Sequence, residues 1–211
     1  KNKLFVQNRQ RLAKLMATKA LAVLNANDVL PTNADGTLPM QPNADLFYLS
    51  GIEQEETVLV LFPDAVEEKN REILFLREPN EHLKIWEGYK HTKEDARKIC
   101  GIKNIQWLSE FPVIFRSLMC EAESAYLNSN EYKRAKVEVE TRDARFIHQC
   151  RKDFPLHTYR RLAPLLHQLR VVKTDLEIEL LKKAVDITAK GFRRTLRFVK
   201  PGVAEYEVEA E

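Results

Sequence analysis

The chain has 211 residues, of which 44% are hydrophobic and 31% charged, and its formal net charge is +3. This composition is typical of ordinary globular proteins and excludes the disordered and fibrous classes, while the length leaves room for one medium domain and part of a second. The longest apolar runs, at residues 20–24 and 58–62, are far shorter than the roughly 20 residues that span a membrane, so we expect a soluble chain without a membrane partner.

Helical and strand patterns alternate in the first third of the sequence. Apolar residues from Leu4 to Met16 recur at helical spacing, which predicts an amphipathic helix. A buried strand over 20–24 and a turn-rich loop over 25–41 follow. Asn43 and Gly51 suit the two ends of a short helix. Two neighbouring strands, joined by a polar loop, are then predicted over the apolar runs 57–62 and 72–76.

The alternation continues in the middle of the chain. A capping-box pattern begins a helix at Thr92, and Gly101 ends it. Residues 105–108 and 125–127 predict two more strands, the second being the last, and Ser109 is expected to cap a helix between them. Because the strands are continuous apolar runs, they need cover on both faces. The pattern therefore predicts an α/β fold, a three-layer mixed sheet flanked by helices.

After Asn130 the apolar residues repeat only at helical spacing. Thr174 with Glu177 predicts a capping box, from which a long helix runs until Pro201 and Gly202. A further helix is predicted to open after Val203. Since the chain begins without methionine and stops inside that helix, we expect it to be a piece of a longer protein.

Cysteines and charge limit the setting and the partners. Cys100, Cys120 and Cys150 are odd in number and widely spaced, which favours neither a disulfide framework nor a metal pair and suggests a reducing, cytoplasmic location. Residues 131–170 hold ten basic against five acidic residues, an excess that could bind nucleic acid. The acids are interleaved and no RNA-binding signature is present, so a solvated helix face is favoured and we expect no nucleic-acid partner.

Local catalytic motifs are absent from the sequence: it has no glycine-rich phosphate loop, no HExxH and no GxSxG. His148 and Cys150 form an H-x-C fragment, but two ligands do not complete a metal site. Packing of Cys150 in a helix core is the favoured interpretation.

Three short patterns resemble a known family. Residues 35–51 read D-x-x-x-P-x-x-x-N-x-D-x-x-Y-x-x-G, residues 85–88 read Ile-Trp-Glu-Gly, and residues 170–178 read R-x-x-K-T-x-x-E-I. In this order they resemble the N-terminal domain of aminopeptidase P, its I-W-x-G element and the hinge before its catalytic domain. The chain departs from the family's pattern at Gln41 and Pro42, where arginine and glutamine are common.

The resemblance implies a fold and a parent enzyme. Residues 1–170 would form the ribonuclease-H-like N-terminal domain of the creatinase/prolidase type, and residues 171–211 the truncated start of the pita-bread metallopeptidase domain. The parent would remove the N-terminal residue from peptides with proline second. It would use two divalent metal ions, usually manganese, whose bridging hydroxide attacks the scissile carbonyl. In the family the five metal ligands lie downstream, which implies no metal, no cofactor and no peptidase activity in these 211 residues.

Two residues are implied to serve substrate binding. In the family the tryptophan that matches Trp86 reaches toward the active site of a neighbouring subunit, and the aspartate that matches Asp35 joins a polar network near it. Residue chemistry alone leaves other interpretations open, because a tryptophan usually packs in a core and an Asp-Gly pair usually forms a turn. A structural role for Arg170 and Lys173, at the hinge or at a helix end, is favoured.

The resulting hypothesis is a non-catalytic module that serves oligomerisation and substrate access. The helix that follows Thr174 carries an apolar stripe that is exposed if its catalytic-domain partners are missing, so we expect a homo-oligomer, a dimer or larger, in which the stripe packs on another chain. A prolidase-type dipeptidase and a metal-free interaction protein of the same architecture stay open as alternatives.

Overall fold

A computed structural model describes residues 2–80, 85–134 and 137–211. The chain divides into two compact units, Lys1–Val171 and Val172–Glu211. Residues 135 and 136, in the basic stretch of the sequence, lie outside the described residues. In chain order the first unit contains α1 (Lys3–Ala13), β1 (Ala20–Asn25), α2 (Ala44–Ser50), β2 (Val58–Leu61), β3 (Glu72–Leu76), α3 (Lys93–Cys100), β4 (Asn104–Trp107), α4 (Phe111–Glu121), β5 (Ser124–Leu127), α5 (Arg142–Asp153), β6 (Thr158–Arg161) and α6 (Ala163–Val171).

The six strands form one mixed sheet in the order β4-β3-β2-β1-β5-β6. Strand β2 runs antiparallel to both β1 and β3, and the other neighbouring pairs are parallel. Strand β1 is central: its Val23 lies opposite Val60 on one side and Leu127 on the other. All strands except β2 therefore run in one direction, and their carboxyl ends meet at the same edge of the sheet.

Helices cover both faces of the sheet, which confirms the predicted three-layer α/β fold. On one face Ala22 and Leu24 pack with residues of α1, α2, α3 and α6. On the other face Leu21 and Val23 pack with residues of α4 and α5. Successive side chains of a strand point to opposite faces, so a run in which every residue is apolar supplies both cores at once.

Helix α1 is attached to the rest of this core through a buried arginine. Arg9 is 1% exposed. Its Nη1 donates to the carbonyl of Leu49 at 2.7 Å and to that of Cys100 at 3.0 Å, and its Nη2 donates to Glu72 at 3.1 Å. The guanidinium thereby satisfies carbonyls at the ends of α2 and α3, groups that a helix cannot satisfy internally.

Two predictions of local structure were wrong. Strand β6 was not predicted; it pairs with β5, with Tyr159 opposite Ala125, and its sequence is polar because it forms an edge. Ser109 does not cap α4, because it lies inside a 3₁₀ turn and the helix begins only at Phe111. Proline in the first turn of α4 suits that later start.

The second unit consists of α7 (Asp175–Phe198) and α8 (Glu205–Ala210). The predicted capping box begins α7: Thr174 Oγ1 accepts from the backbone N–H of Glu177, whose carboxylate accepts from the backbone N–H of Thr174 at 2.7 Å. Apolar side chains at helical spacing are exposed along α7, among them Leu181, Val185 and Phe192. Among the described residues of the chain, we find no helix with the length and apolar character needed to cross a membrane.

Candidate functional site

The predicted site residue Trp86 lies in the connection between β3 and α3. Its side chain is 76% exposed, and the neighbouring Ile85 and Tyr89 are also exposed. Gly88 has a φ of +79° and ends the short helical turn that carries the tryptophan. Trp86 is thus presented at the surface of this unit and is not one of its core residues.

A network of charged side chains centred on Arg77 lies beside Trp86. Arg77, the first residue after β3, donates to both carboxylate oxygens of Glu87, at 2.8 and 3.2 Å, and to Glu55 at 3.3 Å. Lys90 lies 2.6 Å from Glu55 and 3.4 Å from Glu87. The network links the start of this connection to its end and to the loop before β2. The backbone N–H of His91 donates to Gln54 at 2.7 Å and adds a further link to that loop.

The pKa shifts of Glu87 and Arg77 favour the charged form of this pair. Burial alone would raise the pKa of Glu87, but hydrogen bonds and positive charge from Arg77, and then from Lys90, bring it below its ordinary value. For Arg77, burial opposes the charge, yet hydrogen bonding and the negative charge of Glu87 raise its pKa above the ordinary value. Glu87 and Arg77 are therefore both ionised at neutral pH, and their pairing does not depend on a titration near pH 7.

The second predicted site residue, Asp35, lies at the tip of the loop that follows β1. Pro31 and Thr37 form an antiparallel bridge, and the backbone N–H of Thr32 donates to the carbonyl of Gly36 at 2.9 Å. Asp35 is exposed in the turn between them. Its place in this turn agrees with the turn-forming chemistry of Asp-Gly and also leaves the carboxylate free to face solvent.

The structure places Asp35 and Trp86 on the same edge of the sheet, in separate loops. Strands β1 and β3 are both antiparallel to β2 and thus parallel to each other, so the loops after them leave from one edge. One strand separates them, a spacing of roughly 10 Å at the sheet. Both candidates therefore project from the carboxyl ends of parallel strands, where ligands commonly bind in open α/β sheets.

A cleft of about 700 Å³, lined by both charged and apolar residues, lies at this edge, at the ends of β1 and β5. Its carboxylates have polar partners: Asp45 accepts from Asn128 at 3.2 Å and from Arg170 at 2.7 Å, and Asp143 accepts from Asn25 at 2.9 Å. Further lining residues are Asp28, Leu30, Leu38, Asn43, Tyr132, Val139, Arg142 and His167. These contacts connect α2 to α6 and to the residue after β5, and they connect α5 to the end of β1. The loop that carries Asp35 forms part of the wall.

Asp143, which lines the cleft, has a raised pKa. Burial is the main influence and raises its pKa to about 6, although the hydrogen bond from Asn25 and the charge of Arg142 act in the opposite direction. Asp28 is held differently, since it accepts from the backbone N–H of Arg142 at 3.0 Å and from the side chain of Arg145 at 2.5 Å. The carboxyl group of Asp143 can thus carry a proton at mildly acidic pH.

The sequence analysis did not predict the network around Arg77 or the cleft, although Asp45 and Arg170 belong to the patterns it used. Within residues 2–80, 85–134 and 137–211, no three His, Cys, Asp or Glu side chains come together in a way that could hold a metal ion.

The sequence from α1 to β5 identifies the family of this chain. The sequence model of the family described as "Aminopeptidase P, N-terminal domain" matches residues 5–127, which is more than half of the chain. The chain belongs to the aminopeptidase P N-terminal domain family. The matched region of this family extends from α1 to β5 and includes Asp35, Trp86 and the network around Arg77.

Individual proteins similar to this chain agree with the family assignment. The Xaa-Pro aminopeptidase of Escherichia coli strain K12 is 27% identical over 208 residues, which are 98% of this chain and 47% of the relative. The structure of a proposed aminopeptidase P from Bacillus anthracis superposes with a TM-score of 0.85 at 29% identity and covers 100% of this chain and 50% of its own. Escherichia coli aminopeptidase P with the inhibitor Pro-Leu gives a TM-score of 0.79 at 26% identity, covering 100% and 48%. The chain spans about half the length of these relatives of the aminopeptidase P family.

Proposed function

We propose that this chain is the N-terminal, non-catalytic module of an Xaa-Pro aminopeptidase, and that it serves subunit association and substrate access. The observation that carries the proposal is the family match over residues 5–127, which includes both predicted site residues. The full-length enzyme would remove the N-terminal residue from peptides whose second residue is proline. The relative from Escherichia coli that binds Pro-Leu supports a substrate of this kind.

The proposal divides the work between two parts of the full-length protein. Residues 1–170 form the N-terminal domain, and residues 171–211 begin the metallopeptidase domain; the edge between the compact units at Val171 and Val172 supports this division. We place two divalent metal ions, manganese in our proposal, and their ligands in the part of the full-length protein that corresponds to the unmatched half of the relatives. The 211-residue chain by itself is then inactive.

Trp86 and Asp35 are the substrate-binding contribution of this module. The exposed indole of Trp86 combines a large apolar face with an N–H donor, which suits the ring and the backbone of a proline-containing peptide. The exposed carboxylate of Asp35 projects from the same sheet edge, where it would contact polar groups around that site.

The apolar stripe of α7 supports a homodimer or a larger homo-oligomer of the 211-residue chain, in which the catalytic-domain partners of this helix are missing. Leu181, Val185, Phe192 and Leu196 are all more than half exposed, and an apolar surface of this kind is normally covered by protein. We propose a cytoplasmic location because the three cysteines are free, two of them buried as thiols, which suits a reducing compartment.

The test is hydrolysis of an Xaa-Pro-Xaa tripeptide with Mn²⁺, measured in parallel on the 211-residue chain and on the full-length product of its gene. We expect activity in the full-length protein alone, reduced by Trp86→Ala and, to a smaller degree, by Asp35→Asn. An Xaa-Pro dipeptide is the control substrate: preference for it would replace the proposal with a prolidase-type dipeptidase. Inactivity of the full-length protein on both substrates would contradict an enzyme and favour a metal-free interaction protein.

A further inference from the structure

The exposed position of Trp86 raises the question of what holds it in place. Three quarters of its side chain is exposed, so core packing supplies little of the constraint. The residue that follows it is held by a charged pair, because Glu87 accepts two hydrogen bonds from one guanidinium. A forked pair of this kind restrains the direction of the carboxylate as well as its distance.

We propose that Arg77 is a positioning residue that holds Trp86 in the orientation in which the tryptophan meets its target. This inference rests on the proposed function for the identity of that target, a proline-containing peptide. Arg77 touches neither metal nor substrate in this proposal. It acts through Glu87, the direct neighbour of Trp86 in the chain.

The charged side chains around Arg77 restrain the Arg77–Glu87 pair. The side chains of Arg77, Glu55 and Lys90 are 28%, 13% and 10% exposed, so three members of the network are largely shielded from solvent. Lys90 contacts both Glu55 and Glu87, which closes a ring of alternating charges in which the guanidinium of Arg77 is one member. A network with good geometry and partial burial restrains its members better than an isolated surface pair does.

This role requires the forked guanidinium group of arginine. Lysine at position 77 would keep the positive charge but could not form the two parallel hydrogen bonds to Glu87. The charge effect and the orientation effect are therefore separable: Arg77→Met removes both, whereas Arg77→Lys removes mainly the second. Glu87→Gln keeps the shape of the side chain and weakens the same contact from the other side.

The motion of the indole can be measured without any assumption about activity. The chain has two tryptophans, so Trp107→Phe leaves Trp86 as the only one. In that background we expect time-resolved fluorescence anisotropy to show faster local rotation of Trp86 in Arg77→Met and Glu87→Gln. The rotation rate in Arg77→Lys should lie between the rates of these two variants and that of the protein with both residues intact. Glu123→Gln is the matched control, since Glu123 accepts from Lys19 at 2.8 Å on another surface.

Activity of the full-length protein gives the second readout. We expect Arg77→Met and Glu87→Gln to lower kcat/KM for the tripeptide about fivefold, mainly through KM, within the range of coupling between neighbouring residues. In a Trp86→Ala background the same substitutions should cause no further loss, because their effect passes through the indole. If circular dichroism shows that Arg77→Met disturbs folding, Glu87→Gln is used instead. The side chain of Glu87 is 41% exposed, so this substitution disturbs packing less.

The outcomes separate the two proposals. Unchanged rotation of Trp86 in both Arg77→Met and Glu87→Gln overturns the positioning role, whatever the activity. A loss of activity that persists in the Trp86→Ala background also overturns it, because Arg77 would then act by another route. If rotation increases but Trp86→Ala leaves kcat/KM unchanged, the positioning role of Arg77 stands, and the substrate role proposed for Trp86 is wrong.

Discussion

Arg170 Nη1 lies 2.7 Å from Asp45 Oδ1, an ion pair between residues 125 positions apart in the sequence. The same guanidinium lies over the ring of Tyr48, with 5.6 Å between its carbon and the ring centroid. Asp45 and Tyr48 both belong to α2, and Arg170 is near the end of α6. The contact thus joins the last helix of the first unit to its second helix, beside the cleft at the ends of β1 and β5.

The coupling between Arg170 and Asp45 is our first prediction. The pair is partly exposed, at 43% and 24% of the side chains, so we expect a double-mutant cycle of Arg170→Met and Asp45→Asn to give about 1 kcal/mol in the free energy of unfolding. The value should fall with added salt, because exposed charges are screened. Urea denaturation at low and high salt measures it. A coupling near zero at low salt would contradict a contribution of this pair to stability.

Asp143 leads to a prediction about pH. Its pKa is about 6 in the folded protein against an ordinary value of 3.8, so between these values the folded state binds more protons than the unfolded state. The contribution of the protonated Asp143 to the free energy of unfolding is fully present below about pH 4 and is lost as the pH rises through 6. Relative to Asp143→Asn, the parent should lose on the order of 2 kcal/mol of unfolding free energy between pH 4 and pH 7.

The control for this measurement is Asp35→Asn, the same substitution at an exposed turn where asparagine is equally suitable. Denaturation with urea at several pH values compares the three proteins. The interpretation fails if the difference between the parent and Asp143→Asn stays constant with pH.

Gly51 and Gly88 allow the cost of a clash to be separated from the cost of backbone strain. Both have positive φ, +70° and +79°. A Cβ at Gly51 would lie 2.4 Å from the ring of Phe5, whereas a Cβ at Gly88 would meet nothing within 4 Å. We expect Gly88→Ala to cost about 1 kcal/mol and Gly51→Ala about 1 to 3 kcal/mol more, since the half-buried ring of Phe5 would have to shift. Equal losses in thermal or urea denaturation would show that Phe5 moves aside freely.

The three thiols should differ sharply in reactivity. Cys100 and Cys150 are buried, and burial raises both pKa values, that of Cys150 to about 12, whereas Cys120 is exposed. Because the thiolate is the reactive form, a thiol reagent such as DTNB should modify one cysteine rapidly in the folded chain and all three in denaturant. Cys120→Ser should abolish the rapid phase. Rapid reaction of two or more thiols in the folded protein would contradict this packing.

Local signals in the sequence were sufficient for much of the fold. The ends of α2 and α3 were predicted because Gly51 and Gly101 adopt left-handed conformations that end helices, and such requirements are local. Central strands were predicted from their apolar runs. Strand β6 was missed because Arg160 and Arg161 face solvent at the sheet edge, where nothing selects apolar residues.

The site depended on contacts that no local pattern contains. Arg77 meets Glu55 because β2 and β3 are neighbours in the sheet, and Asp35 and Trp86 share an edge because β2 is reversed. Each of these facts requires the strand order. The family resemblance identified the two candidate residues, whereas the charged network that flanks one of them became visible only in three dimensions.

The central position of β1 has a consequence for how this protein is made. Strand β1 pairs with β5, which places Ala20 opposite Ser124, and Arg11 in α1 donates to the carbonyl of Leu169 at 3.0 Å. A chain emerging from the ribosome exposes the apolar β1 long before either partner has been synthesised. Because such distant contacts close slowly, the nascent segment is vulnerable to aggregation, and we expect it to need chaperone protection until α6 has emerged.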